Sequence, residues 1–130
     1  MTACGVWPTS RGLVAVLVDS AGRARSFSVA PTDDARWGLS QRLAAIGADL
    51  VLDHALLESD RIAYVAHRAG VTVWIAGPPL VGALRAAAGV ARQGARPSAA
   101  LLARLPAIPW LRSLLRRLEL PDDERQIALL

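Results

Sequence analysis

Leu13-Val14-Ala15-Val16-Leu17-Val18-Asp19-Ser20-Ala21-Gly22-Arg23-Ala24-Arg25-Ser26-Phe27-Ser28-Val29 is the stretch on which the fold turns. A valine- and leucine-rich run is followed by the turn formers Asp19 to Gly22. Arg25, Phe27 and Val29 then occur at period two. Apolar run, turn residues and alternation together predict a β-hairpin. Upstream, residues 2–7 predict another strand, with Pro8-Thr9-Ser10-Arg11 as the turn into the hairpin. Three antiparallel strands therefore open the chain.

Downstream the period changes. Pro31 stops the last strand, Thr32 supplies a capping hydroxyl, and Asp33 and Asp34 place negative charge where a helix N-terminus favours it. Trp37, Leu39, Leu43 and Ile46 follow at apolar helical positions, and Gly47 terminates them. Residues 48–52 predict a short strand ending at Asp53, residues 58–69 a helix stopped by Gly70, and residues 71–75 an apolar strand suited to a parallel sheet covered on both faces. The order is β-β-β-α-β-α-β. It implies an α/β fold with a mixed five-stranded sheet, three strands antiparallel and then two parallel, with helices on both faces.

Past Pro79 come alanine-rich helical stretches interrupted by Gly89, Gly94 and Pro97. Pro109-Trp110 then opens a segment with Trp110, Leu111, Leu114, Leu115 and Leu118 on one side and Arg112, Arg116, Arg117 and Glu119 on the other, ended by Pro121. This spacing predicts an amphipathic helix. Residues 1–105 are thus read as the domain, and residues 106–130 as a helical extension packed on it or held at an interface.

Composition narrows the functional classes. The chain has 130 residues, 53% of them hydrophobic, a surplus that a small domain can place against a partner or a second copy. Fifteen basic residues against eleven acidic give +4, and every basic residue is arginine. That usage has two readings, a compositional bias of the genome or the suitability of the planar guanidinium for phosphate. Cys4 stands alone, so neither an internal disulfide nor a cysteine zinc site is available, and a reducing cytoplasm is the expected compartment. The longest uncharged stretch, residues 69–84, is broken by Gly77-Pro78-Pro79 and falls short of the roughly twenty apolar residues of a spanning helix, so no membrane partner is expected.

The element order is that of the RNase H-like fold, and three passages carry a closer resemblance. They are Gly5-Val6-Trp7 with the strand ending Asp19-Ser20-Ala21-Gly22; Leu50-Val51-Leu52-Asp53-His54-Ala55 with Ala69-Gly70-Val71; and Val73-Trp74-Ile75-Ala76-Gly77-Pro78 with residues 91–105. In order and spacing they resemble the RuvC-like N-terminal domain of DEDD-type insertion-sequence transposases. Nucleases of this fold hold two divalent cations about 3.5–4 Å apart in a ring of carboxylates. The resemblance implies acids at four places, and here three of them hold Trp7, Ala95 and Ser98. Asp53 alone is acidic, a shortened stand-in for the family's glutamate. One carboxylate cannot neutralise two hard dications, so neither a metal site nor another cofactor is expected, and the resemblance implies a degenerate, non-cleaving copy.

Other candidates carry less chemistry. Asp53 and His54 are adjacent on a strand end and point to opposite faces; His67 reads as a surface residue, Asp33 and Asp34 as helix-start charges and Asp19 as a turn residue. No phosphate-binding glycine loop or nucleophile elbow occurs. The tryptophans at 7, 37, 74 and 110 can stack on bases, though three sit in apolar elements and read as core or interface. Two functions remain open. The first is a catalytically inactive nucleic-acid-binding or scaffold component of a mobile element or DNA-processing system, contacting DNA or RNA through Arg85, Arg92, Arg96 and Arg104. The second is a protein-interaction or homodimerisation module that uses Trp110, Leu111, Leu114, Leu115 and Leu118.

Overall fold

The structure, a computed structural model, describes residues 1–53, 57–89 and 94–119. Its elements are β1 (Ala3–Thr9), β2 (Gly12–Val18), β3 (Ala24–Val29), α1 (Asp33–Ile46), β4 (Asp49–Asp53), α2 (Leu57–Arg68), β5 (Val73–Ala76), α3 (Pro78–Ala88), α4 (Ala95–Arg104), a 3-10 turn at Leu105–Ala107, the single turn α5 (Pro109–Arg112) and β6 (Arg116–Arg117). They form one six-stranded sheet in the order β3-β2-β1-β4-β5-β6. The β1-β2-β3 meander is antiparallel, β4 joins β1 in parallel, and β5 joins β4 in parallel.

Local signals place the elements where the sequence predicts them. In the hairpin turn the Asp19 carboxylate accepts from the backbone N–H groups of Ala21 and Arg23, each at 2.9 Å, and Gly22 takes the left-handed conformation the turn needs. Thr32 Oγ1 accepts from Ala35 N at 3.2 Å to cap α1, and Gly47 ends it at φ 69°. Pro97 does not interrupt a helix. It lies in the first turn of α4, where a missing N–H leaves no bond unmade.

Strand alternation sorts the core into two layers. Cys4, Val6, Leu50, Leu52, Val73 and Ile75 face one side, against Leu39 and Leu43 of α1 and Ile62 and Ala66 of α2. Burial in that layer pushes the Cys4 thiol up to about 12, so it stays neutral. Ala3, Val51 and Ala76 face the other side, against Val81 of α3 and Leu102 of α4. Over β1 and β2 that second layer is thin: a Cβ at Gly5 would run into the Ala99 carbonyl and the Ala103 backbone nitrogen, so α4 crosses β1 backbone against backbone.

The carboxy-terminal segment departs from its expected form. Instead of an amphipathic helix, α5 is one turn and β6 pairs antiparallel with β5, Arg116 opposite Ile75 and Arg117 opposite Trp74. The sheet therefore has six strands rather than five. Leu111 and Leu115 enter the layer of Val51 and Ala76, while Leu118 packs on the opposite layer and its N–H donates to the Val73 carbonyl at 2.8 Å. A leucine on each side of the sheet requires a strand between them, which no single helical stripe provides.

Candidate nucleic-acid site

The carboxyl ends of β1 and β4 lie side by side beneath α3 and α4. Gly5 pairs with Val51 in the parallel register. Two residues further along both strands, Trp7 comes level with Asp53, and both share the face of Gly5 and Val51. Trp7 is half-buried and touches both the cluster of Val51, Val81 and Leu102 and that of Val16, Val18 and Ala99. Asp53 is only 8% exposed and pairs in register with Ala76.

Onto Trp7 comes a cation from α3. The Arg85 guanidinium carbon lies 4.5 Å from the centre of the Trp7 ring, a cation–π geometry worth roughly 0.5–2 kcal/mol. The other two positions where the resemblance implies acids lie at the start of α4. Ala95 is half-buried there. Ser98 is 1% exposed, and its hydroxyl donates back to the Gly94 carbonyl at 2.9 Å. Among the described residues, one carboxylate, one indole and one permanent cation do not fit a pair of hard dications: the guanidinium repels them and the indole offers no oxygen. Among the described residues no group of three or more histidine, cysteine, aspartate or glutamate side chains comes together.

Of the four arginines expected to touch nucleic acid, the structure separates two from a third. α4 runs antiparallel to β1. Its last residues adjoin Met1, Ala3 and Val18, whereas Ala99 and Ala100 pack with Trp7 and Val14. Arg96 is therefore exposed at the Trp7 end, and Arg104 is exposed at the far end, about 12 Å along the helix. Arg85 is half-buried on Trp7. Arg92 and His54 lie outside the described residues.

The five residues read as an interface also divide. Leu111 and Leu115 are buried and Leu118 is half-buried, but Trp110 is 66% and Leu114 55% exposed. Nor do the tryptophans behave alike: Trp74 is half-buried with its Nε1–H donating to Asp49 Oδ2 at 2.9 Å, whereas Trp37 stands exposed on α1. The Trp7–Arg85 stack escaped sequence reading because nothing local links two residues on elements so far apart in the chain.

No protein-family model matches the chain, and no curated protein sequence matches it. Among solved structures, T. thermophilus RuvC in complex with a Holliday junction substrate is similar at a TM-score of 0.54 and 19% identity, over 91% of this chain and 100% of that one. Together with the strand order, this likeness assigns the chain a RuvC-like, RNase H-like fold.

Proposed function

We propose that this chain is a nucleic-acid-binding, RuvC-like domain that engages phosphate through arginine and does not cleave it. The observation that carries the reading is the Arg85 guanidinium stacked on Trp7 at the strand ends beside Asp53. In a fold whose nucleases recruit cations to that end of the sheet, this chain supplies a fixed cation of its own. A guanidinium held on an aromatic face contacts a phosphate oxygen with little loss of side-chain freedom. Arg96, exposed at the same end of α4, adds a second positive charge. The RuvC of similar fold is bound to a branched junction, and a four-way junction is accordingly the first ligand to offer. A role within a mobile element, which the resemblance to transposase domains implies, is the setting in which such a non-cleaving copy would act.

The test is binding. Gel retardation and fluorescence anisotropy with a labelled four-way junction should show a complex whose affinity falls steeply with salt. Arg85→Ala should weaken it about tenfold, the loss of one well-placed phosphate contact. Absence of any complex at low salt, or a complex indifferent to Arg85→Ala and Arg96→Ala, contradicts the proposal.

A further inference from the structure

We infer that the groove between β3 and α1 binds a small carboxylate with a short apolar tail. The groove holds about 270 Å³ and lies on the face of the sheet opposite Trp7 and Arg85, so it stands apart from the strand-end site. Leu17 and Phe27 form its floor, and Leu43 and Ile46 its wall on α1. It exists because the cover that α1 gives β3 falls away along the strand. Val29, next to the start of α1, is buried, Phe27 is half-buried and Arg25 is exposed, although alternation puts all three on the face that α1 covers. Cover is least toward Arg25 and the last turn of α1, where Ile46 is left 55% exposed.

Two cations line the same groove. The Arg42 guanidinium carbon lies 5.4 Å from the centre of the Phe27 ring, and Arg25 sits two residues before Phe27 on the same face of β3. Among the described residues neither guanidinium has a carboxylate partner, and no acidic side chain lines the groove. An apolar recess with a few convergent polar groups is the usual form of a small-molecule site. Here those groups are guanidiniums, whose planar forks donate paired hydrogen bonds to a carboxylate.

Size and charge select the occupant. The volume falls just below the roughly 300–1,000 Å³ of pockets for drug-sized ligands, so a tail of several carbons or one ring fits and a long lipid chain does not. A phosphate of nucleic acid would meet the cations but leave Leu17, Leu43 and Ile46 uncovered, and Phe27 already carries Arg42 on one face. A second copy docked here about a two-fold axis would bring Arg25 and Arg42 toward their own equivalents, a like-charge contact that disfavours association. A carboxylate with a short tail answers both the walls and the charges.

Sodium octanoate is the probe, with 1-octanol as the tail without the charge and acetate as the charge without the tail. Phe27 is the chain's one phenylalanine, so its ring resonances report the groove in the wild type without any substitution. Octanoate should move them saturably, and each control should bind at least about tenfold more weakly. Arg25→Gln and Arg42→Gln, both on exposed side chains, should each weaken octanoate about fivefold with the melting temperature little changed. A stationary Phe27, octanol that binds as tightly as octanoate, or two arginine variants that bind like the wild type overturns the inference. So does displacement of octanoate from Phe27 by a single-stranded oligonucleotide, or a wild-type dimer that Ile46→Glu dissolves, which would assign the groove to a second copy. A roughly tenfold gain in octanoate affinity on removal of residues 120–130 would assign it to the chain's own tail instead.

Discussion

A methyl group added at Gly5 has nowhere to go. The carbonyl of Ala99 and the backbone nitrogen of Ala103 occupy its volume, and backbone cannot rotate aside as a side chain can. Gly5→Ala should lower stability by about 1–3 kcal/mol or prevent folding outright. Gly82, on α3 with open space around its Cβ position, is the control: Gly82→Ala should leave the melting temperature unchanged or raise it. Equal melting temperatures for the Gly5 variant and the wild type would mean that α4 does not cross β1 at that distance. The same close approach explains the arrangement of the site, because it sets the start of α4 against the strand that carries Trp7. Gly5 was legible in the sequence as part of Gly5-Val6-Trp7, but its reason was not, since the residues it meets come more than ninety positions later.

At the scale of elements, the hairpin, α1, β4, α2 and β5 all lie where local signals place them, because each rests on short-range chemistry: an Asx turn, a capping hydroxyl, a terminating glycine, an uninterrupted apolar run. The segment after Pro109 shows where such signals stop. Its leucines fit a helical stripe, yet Arg116 and Arg117 pair with β5, and a two-residue strand is too short to show alternation. The alternative was decided by a partner strand more than forty residues upstream. The division it creates is measurable. Leu111→Ala removes a buried side chain from the layer of Val51 and should cost about 2–5 kcal/mol, while Leu114→Ala, on an exposed side chain, should stay within about 0.5 kcal/mol of the wild type. Chemical denaturation of the two variants checks this, and equal losses would restore the single-stripe helix.

Taken whole, the molecule is a sheet with the strand order and connections of a RuvC-like domain, covered by α1 and α2 on one side and by α3, α4 and α5 on the other. The sequence alone pointed to a RuvC-like α/β architecture, while acids replaced at Trp7, Ala95 and Ser98 are what its resemblance to transposase domains implies. What it left unread was the setting of the cation: Arg85 appeared only as one of four arginines expected to contact phosphate, and only the fold sets it on Trp7. The expected basic face likewise divides, since Arg96 and Arg104 sit at opposite ends of α4. At the strand-end site nucleic acid is proposed to bind with its phosphodiesters left intact. This is tested most directly by incubating the purified chain with a labelled four-way junction under binding conditions, with magnesium or manganese, and resolving one half of each sample on a native gel and the other on a denaturing gel. A retarded complex with uncut strands, unchanged by Asp53→Ala, is the expected result; metal-dependent cleavage that Asp53→Ala abolishes would overturn the proposal.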